Sequence, residues 1–190
     1  MSGPLLTPDR ALSRALVRTV PDSVTERLAD LGNIPVAVPV LALAMAYAAR
    51  RGRGRAALAA GLAMALVPAL IVPLKDWTAR PGPLEPWAAG YFPSGHTATA
   101  LTAYTCAALL IAPDTRRPWP QALAALLTAL TATGLILRGF HWPLDVLASL
   151  LLCTPSLLGV RAAASKRPGR SGGAAQARPP GGRVSGQPPK

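Results

Sequence analysis

The sequence is poor in cysteine, histidine and acidic residues. Its two cysteines, Cys106 and Cys153, lie in apolar stretches, so no disulfide framework can be built from them. We expect both to be buried as small apolar side chains. Charged residues make up only 15% of the chain, against 51% hydrophobic residues, and the charges lie mostly outside a few long apolar runs. This is the pattern of a multi-pass membrane protein.

The few charges are unbalanced, with a formal net charge of +12. A basic chain can bind nucleic acid, but here Lys and Arg are scattered over loops and a C-terminal tail. They are not gathered with aromatic residues on one helix face. We therefore expect no nucleic-acid partner. The enrichment of Lys and Arg in the cytoplasmic loops of membrane proteins explains the charge better.

Five apolar segments predict five membrane-spanning helices, and hence an all-α integral membrane bundle embedded in the lipid bilayer. The segments are 34–49, 56–74, 97–112, 121–137 and 144–160. They are rich in Ala, Gly, Ser and Thr, which allow helix backbones to approach closely in lipid. We expect a compact transmembrane domain over 34–160.

The two flanking regions are predicted to lie outside the bundle. The region 1–33 should hold short interfacial helices rather than a signal peptide, because arginines interrupt its apolar run at 11–20. Ser23 and Glu26 have the spacing of a capping box for a second short helix. The region 161–190 is basic and rich in Gly and Pro, which predicts a disordered tail.

The distribution of Lys and Arg predicts the orientation of the bundle. With five spans, the loops 50–55 and 113–120 share one side with the C-terminal tail, and this side carries most of the basic residues. It should be cytoplasmic. The opposite side, which includes the loop 75–95 and the turn 138–143, should then face outward from the cell membrane.

Three polar clusters share this predicted outer side. They are Lys75 with Arg80, then Ser94, Gly95 and His96, and then Arg138, His141 and Asp145. If the helices bundle, three cations, both histidines and one carboxylate meet on a small area. Free N–H groups at a helix start favour an anion such as phosphate, and Lys and Arg neutralise its oxygens.

The two histidines can divide the work of a hydrolysis. Pro143 suits the first position of a helix, which puts Asp145 in the first turn, where it can accept a hydrogen bond from His141. That bond sets the tautomer and leaves the other ring nitrogen of His141 free as a nucleophile. His96 can then act as a general acid toward a leaving oxygen.

These motifs resemble those of a known family. Lys75 with Arg80-Pro81, then Pro93-Ser-Gly-His96, and then His141-Trp-Pro-Leu-Asp145 resemble the three signature motifs of the type 2 phosphatidic acid phosphatase (PAP2) superfamily. The resemblance covers about residues 73–149. It implies a helical core like that of the related vanadium haloperoxidases, and hydrolysis of a phosphorylated lipid without metal or other cofactor.

The resemblance also implies roles and substrates. His141 would form a phosphohistidine, Asp145 would orient it, and His96 would protonate the departing group. Lys75, Arg80 and the remaining cluster members would bind the phosphate; these are Ser94, Gly95 and Arg138. Candidate substrates are polyprenyl phosphates or diphosphates, phosphatidic acid and phosphatidylglycerol phosphate.

Two arginines depart from the family pattern. Arg80 stands two positions before Gly82, where the family has its arginine, and Arg138 lies one helical turn after Leu135, where the second is usual. Long arginine side chains can span a turn of about 5 Å. The alternatives are a family member that binds a phospholipid without turnover and, less consistent with a membrane chain, a haloperoxidase that holds vanadate.

Overall fold

The computed structural model describes residues 4–113 and 117–165. In this part of the chain the backbone forms seven helices and no strand. They are α1 (Leu6–Leu16), α2 (Asp22–Asp30), α3 (Ile34–Arg50), α4 (Gly54–Thr78), α5 (Gly95–Ile111), α6 (Trp119–Arg138) and α7 (Pro143–Ser165). The predicted all-α bundle is confirmed, and the five predicted spans correspond to α3–α7.

Helix α5 is the centre of the bundle. It packs against α3, α4, α6 and α7, and eleven of its 17 residues are buried, most of them Ala and Thr. Four other stretches are long and apolar enough to cross a membrane: Asp22–Arg50, Gly54–Thr78, Trp119–Arg138 and Pro143–Ser165. The small residues of α5 let these longer helices approach it closely. Cys106 and Cys153 are free and buried, as predicted.

Several helix ends differ from the prediction. Helix α4 runs to Thr78, so Lys75 lies in its last turn rather than in the following loop. Helix α7 continues through Ser165, so the prediction of a disordered tail is wrong for residues 161–165. The rest of that predicted tail, 166–190, lies outside the described residues. Apolar composition located the spans, but a helix can extend past its apolar part wherever backbone hydrogen bonding continues.

The N-terminal helices also differ in detail. Helix α1 covers Leu6–Leu16, earlier than the predicted run 11–20. Helix α2 follows Pro21 as expected, but no side chain caps it, so the predicted capping box of Ser23 and Glu26 is wrong. Pro21 is the N-cap residue, and its carbonyl accepts the N–H groups of residues 24 and 25. The backbone carbonyl of Pro21 therefore takes the place of the predicted capping box.

Gly134 allows α2 to pack directly on α6. A Cβ atom at this glycine would lie 2.6 Å from Leu28 Cβ and 2.7 Å from the backbone nitrogen of Ala29. Because one of these neighbours is backbone, the clash cannot be relieved by a side-chain rotation. Helix α2 therefore contacts α6 at backbone distance, rather than lying loosely at the interface as an isolated amphipathic helix would.

We expect Gly134→Ala to destabilise the protein by about 1–3 kcal/mol, because overpacking a close contact forces the backbone apart. The matched control is Gly159→Ala on α7, where an added Cβ would meet nothing within 4 Å. That variant should be neutral or slightly stabilising, since alanine is the better helix former. Thermal unfolding in detergent measures both. Equal melting temperatures for the two variants would contradict this account of α2.

Candidate functional site

The predicted site residues lie at one end of the bundle. Lys75 is in the last turn of α4, Ser94 and Gly95 begin α5, Arg138 ends α6, and Asp145 is in the first turn of α7. Successive spans run in opposite directions, so the ends of α4 and α6 and the starts of α5 and α7 lie on the same side of the bundle. The chain order of the three motifs therefore produces one cluster in space.

The turn between α6 and α7 places His141. Helix α6 is followed by its C-cap residue Gly139, which has a φ of 78°, in the left-handed region that favours glycine. The chain then folds back, and the N–H groups of Phe140 and His141 both donate to the carbonyl of Leu135. As a result His141 is held, buried, two residues before Pro143, the first residue of α7.

His141 and Asp145 form a buried pair. The Nδ1 atom of His141 lies 3.3 Å from Oδ2 of Asp145, and the same oxygen accepts the backbone N–H of Trp142 at 3.0 Å. Asp145 is 0% exposed. With Nδ1 directed at a carboxylate, the ring carries its proton there, and Nε2 is left with a free lone pair. This is the arrangement that a nucleophilic histidine requires.

Arg80 joins that pair to the N-terminal helix. One of its terminal nitrogens lies 2.6 Å from Oδ1 of Asp145, and the other lies 2.5 Å from Oδ2 of Asp9 on α1. The second oxygen of Asp9 accepts the backbone N–H of Leu144 at 2.9 Å. Arg80 was expected to bind phosphate; here its guanidinium is shared by two buried carboxylates.

Sequence reasoning did not identify Asp9 as part of the site. Its side chain is only 1% exposed, and it contacts Arg80 and Leu144, both far along the chain. One signal was present: Asp9 is the only acidic residue within the arginine-containing helix α1. Arg10 and Arg14 on the same helix are the cations that sequence alone would pair with Asp9. This signal therefore did not point to Arg80.

Ser94 links the second and third motifs. As the N-cap residue of α5 it accepts hydrogen bonds from the backbone N–H and the hydroxyl of Thr97, at 3.3 and 3.0 Å. Its own N–H donates to the carbonyl of Asp145, and its carbonyl accepts the hydroxyl of Ser149 at 2.8 Å. Ser94 therefore fixes the start of α5 against α7. The N–H groups of Gly95 and His96, in the first turn, have no acceptor within the helix.

His96 lies close to the other charged members of the site. Its ring interacts electrostatically with His141 and Lys75, and Lys75 interacts in turn with Asp145. The Nε2 atom of His96 lies 2.6 Å from the side-chain oxygen of Asn33, at the start of α3. The two histidines, the carboxylate and Lys75 are thus brought together, as the motif order predicted. Asn33 was not among the predicted residues.

Arg138 is held by helix α2 and by Phe140. A terminal nitrogen lies 2.8 Å from Oδ2 of Asp22 on α2, and the guanidinium carbon lies 5.3 Å from the centre of the Phe140 ring. The Asp22 side chain is 52% exposed, so this ion pair is screened by solvent. Of the two displaced arginines, Arg138 is therefore the one whose partner can release it more readily.

Tyr91 packs its ring at the edge of the His141 ring. The ring centres are 5.9 Å apart and the planes meet at 64°. The Tyr91 hydroxyl donates to Glu85, and this hydrogen bond raises the pKa of Tyr91 to about 12. The phenol is therefore neutral at physiological pH. A Cβ atom at Gly82 would lie 2.6 Å from the Tyr91 ring, so this glycine gives the ring its room.

An apolar groove of about 540 Å³ opens beside His96, between α3 and α4. Pro35 and Val38 line it from α3, Val67 and Ile71 line it from α4, and Lys75 and His96 stand among its lining residues. One cation and one imidazole thus belong to an otherwise mostly apolar wall. Within residues 4–113 and 117–165, no cluster of three or more His, Cys, Asp and Glu side chains could hold a metal ion.

Comparison with known proteins agrees with this geometry. The model of the PAP2 superfamily matches residues 56–168, more than half of the chain. Among solved structures, the fold is similar to the crystal structure of a transmembrane PAP2-type phosphatidylglycerolphosphate phosphatase from Bacillus subtilis. The TM-score is 0.74, with 21% sequence identity over 85% of this chain and 86% of that chain. At this identity the likeness shows the fold alone. No curated protein matches this chain.

Proposed function

This chain belongs to the PAP2 superfamily, and on that premise we propose that it is a metal-independent lipid phosphatase that works through a phosphohistidine on His141. At the level of the family, the match supports a lipid phosphatase in a multi-pass membrane protein. The observation that carries the finer proposal is one cluster: an oriented His141–Asp145 pair, with His96 and Lys75 close by, next to an apolar groove.

The proposed reaction has two steps. In the first, Nε2 of His141 attacks phosphorus, the P–N bond forms, and the bond to the leaving oxygen breaks as His96 donates a proton to that oxygen. Asp145 accepts the hydrogen bond from Nδ1 and stabilises the positive charge that develops on the ring. In the second step, His96 takes a proton from water, the resulting hydroxide attacks phosphorus, and the P–N bond breaks to release phosphate.

The phosphate oxygens would be held by a cation and by backbone donors. Lys75 supplies a charge, and the first-turn N–H groups of Gly95 and His96, presented by the cap at Ser94, supply hydrogen bonds. We propose that Arg138 joins them by leaving the exposed Asp22. Arg80 contributes its positive charge, while its N–H groups hold Asp145.

The groove favours a substrate with an apolar chain. A hydrocarbon chain lying along α3 and α4 would bring its phosphate to Lys75 and His96, since both line the same groove. Polyprenyl phosphates or diphosphates, phosphatidic acid and phosphatidylglycerol phosphate all have this form. Because the basic loop 50–55 lies at the opposite end of α4, we propose that the site is extracytoplasmic in the cell membrane.

The test is phosphate release from each of these lipids by the purified protein in detergent. We expect activity that persists in EDTA and is blocked by vanadate, which mimics the pentacoordinate phosphorus. If no lipid of the panel is hydrolysed while one of them still binds, the protein is a phospholipid-binding member of the family. Activity lost in EDTA and restored by a divalent cation would contradict the metal-independent mechanism.

Arg138→Ala should lower kcat/KM by about 10²-fold, on the scale of one lost donor to a developing charge. The matched control is Asp22→Asn, which removes the ion-pair partner but leaves the guanidinium in place. It should keep kcat/KM within about fivefold, because an exposed pair contributes at most about 1 kcal/mol. Steady-state kinetics measures both. If the two variants lose activity equally, Arg138 acts through its pairing with Asp22 and not on the phosphate.

A further inference from the structure

Asn33 is an N-cap residue whose side chain does not cap its own helix. Asparagine at this position normally accepts an N–H from the second or third residue of the helix. Here the second residue is Pro35, which has no N–H, and the third, Val36, donates to the backbone carbonyl of Asn33. The side chain is therefore free for another partner. It is directed at the ring of His96 on α5.

Asp30 fixes which way the Asn33 amide faces. The amide nitrogen donates to Oδ1 of Asp30 at 2.7 Å, so the amide oxygen is the atom 2.6 Å from Nε2 of His96. An amide oxygen only accepts hydrogen bonds. Nε2 must therefore be the donor, and it keeps its proton in both the neutral and the cationic ring. Nδ1 is then the nitrogen of His96 that gains and loses a proton.

The loop that carries Asn33 is itself held against α5 and α6. The hydroxyl of Tyr104 donates to the carbonyl of Leu31 at 2.5 Å. A Cβ atom at Gly32 would lie 2.7 Å from the backbone oxygen of His96 and 2.6 Å from Thr131 Cγ2. The loop thus touches the backbone of the same histidine that Asn33 contacts through its side chain. Little freedom remains for the relative position of the two residues.

We infer that Asn33, oriented by Asp30, is a positioning residue that holds His96 in the Nε2–H tautomer and so makes Nδ1 its acid–base atom. This inference rests on the proposed role of His96. It adds residues 30–33, which lie outside the part of the chain matched by the family model. His141 and His96 then use opposite ring nitrogens: Nε2 of His141 bonds to phosphorus, and Nδ1 of His96 transfers the proton.

Asp30 is a neighbour of His96 that favours its protonated form. Burial of the ring and the charges of His141 and Lys75 disfavour a proton on it, whereas the carboxylate of Asp30 favours one. Asp30 reaches the ring through the amide of Asn33, so it can favour the imidazolium without taking the proton itself. A general acid needs that cationic form before the bond to the leaving oxygen breaks.

The kinetic test compares a lipid phosphate, whose alkoxide leaving group needs a proton, with an aryl phosphate, whose phenolate leaves without one. We expect Asn33→Leu to lower the rate of phosphoenzyme formation from the lipid by about 10–10²-fold and from the aryl ester much less, as His96→Ala should, because only this first step depends on the leaving group. Asn33→Asp keeps an oxygen acceptor for Nε2–H and should retain more lipid activity than Asn33→Leu. Equal losses on both substrates would indicate a structural role and overturn the inference.

Asp30→Asn tests whether the negative charge of Asp30 acts on His96 through the amide of Asn33. The matched control is Glu26→Gln. Both side chains are exposed on α2, one helical turn apart, and only Asp30 bonds to Asn33. Asp30→Asn should shift the alkaline limb in the pH profile of phosphoenzyme formation from the lipid, where the rate falls as the general acid loses its proton, toward lower pH. Losing the carboxylate disfavours the imidazolium, so its proton is lost at lower pH. Glu26→Gln should leave the profile unchanged. Equal profiles for the two variants would exclude Asp30.

A spectroscopic test is independent of turnover. The chain has only two histidines, so His141→Ala leaves His96 as the only imidazole, provided that the purification tag has none. Nitrogen NMR of ¹⁵N-histidine-labelled protein then reports which ring nitrogen carries the proton. We expect the Nε2–H tautomer alone, and a mixture after Asn33→Leu. If His96 in the His141→Ala protein carries its proton on Nδ1, the inference is refuted, even if the wild-type protein is found to hydrolyse lipid phosphates.

Discussion

Replacing His141 with alanine should reduce phosphate release from a lipid substrate by about 10³-fold or more, because the variant has no atom to accept the phosphoryl group. The His141 ring is buried and its Nδ1 faces Asp145, so the ring is oriented for attack by Nε2 before substrate arrives. Phosphate release by purified wild type and variant, at equal protein concentration, measures the loss.

The control for this prediction is His96→Ala, examined by trapping the phosphoenzyme. With an aryl phosphate, His96→Ala should still form phosphohistidine and should accumulate it, since water is no longer activated in the second step. His141→Ala should form none. Mass spectrometry of protein quenched in alkali, where phosphohistidine survives, distinguishes them. A phosphoryl group found on His96 in wild type would reverse the roles assigned to the two histidines.

Replacing Asp145 should have the second large effect, on both stability and turnover. Asp145→Ala leaves the guanidinium of Arg80 with one carboxylate and the N–H of Trp142 without its acceptor. Removing one partner of a buried ion pair typically costs about 3–5 kcal/mol. Turnover should fall by about 10²–10⁴-fold, because His141 loses the group that sets its tautomer.

The comparison that separates the two effects is Asp145→Asn with Asp9→Asn. Each variant replaces a carboxylate that forms an ion pair with Arg80, and only Asp145→Asn also changes the partner of His141. We expect similar decreases in melting temperature for the two and a much greater loss of kcat in Asp145→Asn. If kcat falls equally in both, Arg80 controls the site more than the His141–Asp145 pair does. Thermal unfolding and steady-state kinetics in the same detergent provide the data.

The helices were predictable for a simple physical reason. A span must satisfy its backbone inside the bilayer and expose apolar side chains, so each one is an apolar run in the sequence. The apolar run ends before the helix does in α4, because Lys75 and Thr78 continue the hydrogen-bonding ladder in a polar setting. That is why the spans were located correctly while Lys75 was predicted to lie in a loop.

The convergence of the three motifs was also predictable, since spans that alternate in direction return every second loop to the same side. The ion-pair partners of the cations were not predictable. Arg80 is near Asp76 and Glu85 in sequence, yet its ion pairs are with Asp9 and Asp145. Many carboxylates are within reach of a long flexible cation in an unfolded chain. The choice among them depends on which are buried beside it after packing.

By itself, the sequence determined an all-α membrane bundle and placed two histidines, Asp145 and Lys75 at one end of it. These properties follow from local hydrophobicity and from chain order. Only the tertiary structure decided that Asp9 holds Arg80 and that Asn33 holds His96. Such bonds join residues 63 and 71 positions apart. Their geometry depends on how helices pack, which no short stretch of sequence encodes.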